Sequence, residues 1–153
     1  VSDIITLARK HNLIIVQDTR EQSPYFLDDC GLAIREQALK TGDYSIVGFE
    51  SRICVERKTL SDYCGCIFTD RFQRELERMA EMVHTAIIIE GLIEDIGTER
   101  CRSQAHLNAI IGKMMADSVR YRVHIMNFPT KAICVQAALR FMLQAWLLET
   151  PRK

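Results

Sequence analysis

Two uninterrupted apolar runs, Leu13-Ile14-Ile15-Val16 and Ala86-Ile87-Ile88-Ile89, constrain this chain more than any other feature. A strand with one wet face alternates apolar and polar residues. Neither run alternates, so each reads as a strand covered on both faces. Such a sheet needs helices on both sides. The helical patterns are present. Residues 103–121 carry Leu107, Ile110, Ile111, Met114, Met115 and Val119 at helical spacing, all expected inward. Residues 70–83 put Phe72, Leu76, Met79, Ala80 and Val83 on one stripe, and residues 130–148 form a last helix opened by Pro129-Thr130. A short amphipathic helix with a Ser2 cap begins the chain. Residues 32–39 alternate weakly as a strand. Gly42-Asp43 turns into a strand over 44–47, 48–51 is a hairpin turn, 52–56 is the returning strand, and 123–126 is the last one. The expectation is an α/β fold: a mixed central sheet flanked by helices, as a single domain over residues 1–153.

Composition agrees. With 48% apolar and 26% charged residues, the chain is not of the disordered class. Its formal net charge is zero. That argues against a simple basic coat for nucleic acid, but not against an enzyme whose acidic ligands and surrounding bases cancel. The cysteines (Cys30, Cys54, Cys64, Cys66, Cys101 and Cys134) fit no zinc template, since Cys64-Gly65-Cys66 has one residue between thiols and no nearby partner pair. A chain of this length folds without disulfides, and no signal peptide is expected before it. The thiols are therefore expected reduced, in an intracellular compartment: cytoplasm, nucleoid or nucleus. No apolar run is expected to reach the ~20 residues of a membrane span, and no membrane partner is expected. His11, His84, His106 and His124 are scattered without ligand spacing.

The chemistry lies in the acidic residues near strand ends: Asp18, Glu21, Asp43 and Glu56. Strand ends present side chains from a rigid sheet into a cleft. Asp43 starts one strand of the inferred hairpin and Glu56 ends its neighbour, so the two carboxylates come side by side. Such a pair repels unless a positive charge joins it. With oxygen donors and no His or Cys partner, Mg²⁺ or Mn²⁺ is the suitable ion. Lys58, two residues beyond Glu56, faces the same side of its strand. An ammonium there can orient or help deprotonate a water and can stabilise charge on phosphate, as phosphodiester hydrolysis requires.

The longer string is more specific. Gly42-Asp43-Tyr44, then Val55-Glu56-Arg57-Lys58-Thr59-Leu60-Ser61-Asp62, then Asp70-Arg71-Phe72, closely resembles the nuclease domain of the XPF family, named for xeroderma pigmentosum group F. The family signature is GD followed by V-ERK-x-x-x-D, within the restriction-endonuclease-like PD-(D/E)xK fold. Val16-Gln17-Asp18-Thr19-Arg20-Glu21 looks like the family's V-D-x-R-E with one residue inserted. The motifs cover residues 13–90. The resemblance implies a metal-dependent DNA endonuclease, structure-selective for branched, flap or fork DNA with single-strand/double-strand junctions, in repair or recombination. It implies that Asp43, Glu56 and the backbone carbonyl of Arg57 hold Mg²⁺ (Mn²⁺ substituting), with Asp18 as a further candidate ligand. It makes Lys58 the positioner of the attacking water. Asp18 and Glu21 would line the site as outer ligands or by fixing Lys58 and Arg20. Asp62 would orient basic residues of the next helix, and Arg71 would approach phosphate or support the acidic cluster. The family often has Gln where this chain has Glu75, which leaves that position open between a role in the site and a surface pair with Arg71 or Arg78.

Family members commonly carry a helix-hairpin-helix module or a helicase. No Gly-x-Gly hairpin follows residue 91 and no Walker motif occurs in the sequence. DNA is thus expected to be held by the nuclease domain, a second copy of it, or a partner nuclease subunit. Arg100, Arg102, Arg120, Arg122 and Lys131 are candidate phosphate contacts. The helices at 103–121 and 130–148 are apolar beyond one core-facing stripe, which points to a homodimer through them. The alternatives are a non-catalytic DNA-binding or scaffold subunit, or another PD-(D/E)xK nuclease.

Overall fold

The computed structural model describes residues 2–26, 30–96 and 104–150. Cys101, Arg100, Arg102 and Ser103 lie outside these residues, as does the side chain of Ser2. The elements are α1 (Ser2–Lys10), β1 (Ile14–Gln17), β2 (Ala33–Glu36), β3 (Tyr44–Ile46), β4 (Ile53–Thr59), α2 (Leu60–Cys66), α3 (Asp70–Ala80), β5 (His84–Glu90), a 3₁₀ turn (Ile93–Asp95), α4 (Gln104–Tyr121), β6 (His124–Phe128) and α5 (Lys131–Glu149). The six strands form one mixed sheet in the order β2-β1-β3-β4-β5-β6. The β1–β3 and β3–β4 pairs are antiparallel, and β1–β2, β4–β5 and β5–β6 are parallel.

Period-two alternation sorts the core into two layers. Ile15, Ile53, Val55, Ala86 and Ile88 face α1 and α5, where Ala138, Leu139, Met142 and Leu143 cover them. Cys54, Ile87 and Ile89 face the opposite side, against Tyr63, Phe72, Leu76, Met79, Ile110 and Met114 of α2, α3 and α4. The expected mixed sheet with helices on both faces is therefore present, and the two apolar runs are its buried strands.

Several expectations are corrected. Helix α3 stops at Ala80, so only Phe72, Leu76 and Met79 are buried; Val83 is 52% exposed. There the chain leaves the helix to enter β5, with Val83 and His84 donating to the Arg52 carbonyl. On α4, Ile110 and Met114 point inward, while Ile111, Met115 and Val119 are exposed. One helix can turn only one stripe to a sheet, so the second apolar stripe faces solvent. Contrary to the expectation of no span-length apolar run, α5 has the length and mean hydropathy of a membrane span. It nevertheless packs on the sheet, with Cys134, Ala138, Leu139, Met142 and Leu143 buried. No disulfide links the described cysteines.

The turn into β3 carries a steric requirement. Gly42 has φ +77°, and a Cβ there would press into the Cys54 sulfur and against the Val55 carbonyl. Only glycine adopts this conformation and permits this approach freely. Gly42→Ala is expected to destabilise the fold by about 2 kcal/mol or more, from strain and clash together, read as a lowered urea midpoint at unchanged slope.

Candidate active site

Asp43 is placed by the backbone. Its N–H donates to the Val55 carbonyl and its carbonyl accepts from the Asp18 N–H, so the end of β3 is tied to both neighbouring strands. Its Oδ2 then accepts the Arg57 N–H at 2.7 Å. An N–H and C=O of one strand residue point to the same edge, so the Arg57 carbonyl is also turned toward Asp43. Glu56 and Lys58 share the face of β4 that looks onto α2 and α3. Lys58 Nζ lies 2.9 Å from Glu56 Oε1 and 2.9 Å from Glu75 Oε1. The Glu56 contact is a hydrogen bond. The Glu75 contact is a close ion pair to a buried carboxylate oxygen.

The electrostatics follow from this crowding. Burial, and after it the neighbouring Asp43 charge, pushes the Glu56 carboxyl up to about 8. Burial pushes Asp43 up to about 6, opposed by its bond from the Arg57 N–H. Burial works against the Lys58 ammonium, but Glu56 and Glu75 outweigh it and hold it firmly protonated. Two carboxylates raised by burial and by neighbouring acids, Glu56 by Asp43 and Asp43 by Glu21, beside a fixed cation are a functional-site signature with a physical cause.

Arg57 points the other way. Its guanidinium pairs bidentately with Glu90 at 2.8 and 3.1 Å, approaches Glu21 at 3.5 Å, and lies over the Tyr25 ring. Glu21 also accepts the Ser23 N–H. Asp18 is nearly fully buried and accepts from the Arg20 N–H and guanidinium and from the Leu39 N–H. The Arg20 guanidinium, opposed by burial and helped by those N–H groups, holds the Asp18 carboxyl down at about 2. Both Asp18 oxygens are thus occupied. Neither Asp18 nor Glu21 contacts Lys58.

Thr59 caps α2: its hydroxyl accepts the Asp62 N–H and donates to the Asp62 carboxylate. Asp62, Arg71, Lys58, Glu75 and Cys66 line one cleft of about 510 Å³. Among the described residues Asp62 and Arg71 form no ion pair. Burial pushes the Cys66 thiol up to about 11, so it is no nucleophile at neutral pH.

One position left open by the sequence is decided, and one site residue had escaped it. Glu75 pairs with Lys58 rather than with Arg71 or Arg78, so the surface-pair reading is not realised. Glu90, at the end of β5, carries no motif of its own. The parity that puts Ala86 and Ile88 on the α5 side also puts Glu90 there, opposite Arg57, and that was the available signal. Of the candidate phosphate contacts, Lys131 is committed to Ser23 and Arg120 lies over Tyr121.

The residues suit a hard divalent cation. Among the described residues Asp43 Oδ1 and Glu56 Oε2 accept no hydrogen bond, and both carboxylates are raised. No third His, Cys, Asp or Glu converges with them among the described residues. Two carboxylates completed by a carbonyl, waters and phosphate oxygens is the donor set Mg²⁺ prefers.

A mixed sheet with helices on both faces, presenting an Asp–Glu pair and a lysine at the end of its central strands, defines an α/β fold of the restriction-endonuclease-like type. The chain belongs to the ERCC4 domain family, the XPF-type nucleases, which it matches over residues 17–135. It is similar to the 3'-flap repair endonuclease Xpf of Saccharolobus solfataricus, with 31% identity over 101 residues, 63% of this chain and 42% of that protein. Among solved structures it is similar to XPF from Aeropyrum pernix (TM-score 0.71, 24% identity, 87% of this chain and 65% of that one). It is also similar to XPF from Aeropyrum pernix in complex with DNA (TM-score 0.66, 25% identity, 86% and 65%). The chain therefore spans about two fifths of the curated relative and just under two thirds of the solved ones.

A pH dependence follows. The raised groups bind protons in the folded state that the unfolded chain has released above about 4.5, the ordinary glutamate value. Without metal, the contribution to stability is fully present below the ordinary values, 3.8 for Asp43 and 4.5 for Glu56, and is lost as pH rises through about 6 and about 8. Thermal melts in EDTA are expected to fall more steeply from pH 5 to 8 in the wild type than in Glu56→Gln; parallel profiles would contradict the assignment.

Proposed function

We propose that this chain is a divalent-metal-dependent DNA endonuclease that hydrolyses phosphodiester bonds in branched DNA (flaps, forks and related junctions), in repair or recombination. The observation that carries the reading is the part-buried Asp43–Glu56 pair with Lys58 on the same face of β4 as Glu56. The family supports it, as do a relative named for 3'-flap repair and a similar structure named as a complex with DNA.

Asp43, Glu56 and the Arg57 carbonyl would hold Mg²⁺, with Mn²⁺ able to substitute. When bound, the cation supplies Lewis acidity and charge for an oxygen of the scissile phosphate. In hydrolysis, a water oxygen bonds to phosphorus as the bond to the leaving sugar oxygen breaks, and negative charge grows on the non-bridging oxygens. Lys58 is held protonated, so it donates: it orients the water and faces the growing charge. Glu75 pins Lys58 from α3, and the Arg57 N–H pins Asp43. Glu90 and Glu21 hold Arg57 itself. Asp18 acts as a brace for Arg20, whose exposed guanidinium flanks the site, rather than as a ligand. Asp62 and Arg71 line the mouth where phosphate enters.

A second copy of the chain is the proposed partner. An apolar groove of about 510 Å³ lies between α5 and the edge strand β6, lined by Met126, Phe128, Ile133, Ala137 and Phe141. The exposed stripe of α4 follows on the other side of the sheet. Multi-angle light scattering is expected to show a dimer that Phe141→Asp converts to monomer; a monomeric wild type at high concentration would exclude it.

The activity test uses labelled flap, fork and linear duplex DNA with Mg²⁺, Mn²⁺ or EDTA. Cutting is expected only with metal, and roughly 10²-fold or more weaker in Asp43→Ala and Lys58→Ala. Cutting that survives Asp43→Ala would refute the assignment.

A further inference from the structure

The cations nearest the active centre are neutralised in place. Arg20 holds Asp18, Arg57 holds Glu90, and Lys58 lies between Glu56 and Glu75. Three arginines of α3 are not. Arg71, Arg74 and Arg78 are exposed, and among the described residues none has an ion-pair or side-chain hydrogen-bond partner. Helix α3 carries as many acids (Asp70, Glu75, Glu77) as arginines, so what sets these three apart is that their guanidinium groups are exposed and unengaged.

Helical geometry puts the three in one line. At about 100° per residue, Arg71, Arg74 and Arg78 fall within roughly 60° of one another, and Glu75 borders them. Glu75 turns inward to Lys58, so the row runs along the flank of α3 next to the cleft. Phe72, Leu76 and Met79 occupy the buried stripe, and Asp70 and Glu77 border the row on the side away from Glu75. Arg71 lines the cleft with Lys58. At the other end Arg78 lines a hollow of about 140 Å³ with Lys40, Glu50 and Glu81, and neither glutamate is within ion-pair distance of it among the described residues. The row of unengaged guanidinium groups therefore runs from Arg71 to Arg78, about 10.5 Å along the helix axis. Successive phosphates of one DNA strand rise about 3.4 Å along the duplex axis but lie nearly twice that far apart along the strand itself, so the row meets about two to three phosphates.

We propose that Arg71, Arg74 and Arg78 form a rail that binds successive phosphates of one DNA strand and leads it into the cleft at Lys58. The proposal rests on reading that cleft as a DNA-cutting site. Guanidinium groups on an open helix flank meet phosphates and not base edges, so the binding is independent of base sequence. The rail is a surface of the nuclease domain itself.

Binding of a labelled flap duplex to the full chain is followed by fluorescence anisotropy in EDTA over a potassium chloride series. The plot of log affinity against log salt is expected to lose roughly two units of slope in the Arg74→Ala/Arg78→Ala variant, about one per phosphate contact. Affinity at 0.1 M salt should fall about tenfold, with the melting temperature unchanged. Arg74→Lys/Arg78→Lys, which keeps both charges, should keep most of the slope. An alanine variant with unchanged slope and affinity overturns the rail, as does a wild type that binds no DNA at any salt. The two readings fail separately. Unchanged binding in a chain that still cuts DNA removes the rail and leaves the active centre. A reduced slope in a chain that never cuts removes the active centre and leaves the rail.

Discussion

Asp43 and Glu56 approach each other at the end of the central strands, where burial already disfavours both charges. Asp43 raises Glu56's hold on its proton, Glu21 and Asp18 raise that of Asp43, and the polar contacts around them answer that repulsion. Lys58 supplies a cation from the same strand, and the Arg57 N–H supplies a dipole from the next residue. A single ammonium between two carboxylates needs fixing, and Glu75 provides it from α3. The cost of gathering these charges is offset locally, ion by ion, which suits a chain whose total charge is zero.

Strand β4 divides this network in two. Glu56 and Lys58 project toward α2 and α3, where the cleft opens. Arg57 projects to the α5 side, where Glu90, Glu21 and the Tyr25 ring enclose it. The segment following β1 is tied into both sides. Asp18 braces Arg20, Glu21 meets Arg57, and Tyr25 stacks on Tyr44. Three adjacent residues of one strand thus join the two faces of the sheet. The backbone between them carries the Asp43 contact.

Much of the centre was legible because it is local. Glu56 and Lys58 share a face through the two-residue repeat of a strand, and Asp43 meets them through a hairpin of short reach. The buried strands were legible as unbroken apolar runs. Glu75 was not, since a helix surface offers it Arg71 and Arg78 at good spacing, and only the packing of α3 on the sheet brings Lys58 closer. Glu90 stands 33 residues from Arg57, and the parallel register of β4 and β5 joins them. On α4, a pattern with two apolar stripes could not say which one faced the sheet.

By itself the sequence determined the sheet, the helices around it, the Gly42-Asp43 turn and the Glu56–Lys58 face, because each follows from backbone periodicity over a few residues. Tertiary structure alone decided which acid neutralises which base. It turned Glu75 and Glu90 inward, committed Asp18 to Arg20, and left the guanidinium groups of Arg71, Arg74 and Arg78 unengaged. Ion pairing depends on distances across strands and helices, and those distances are set only when the sheet and its two helical layers have packed.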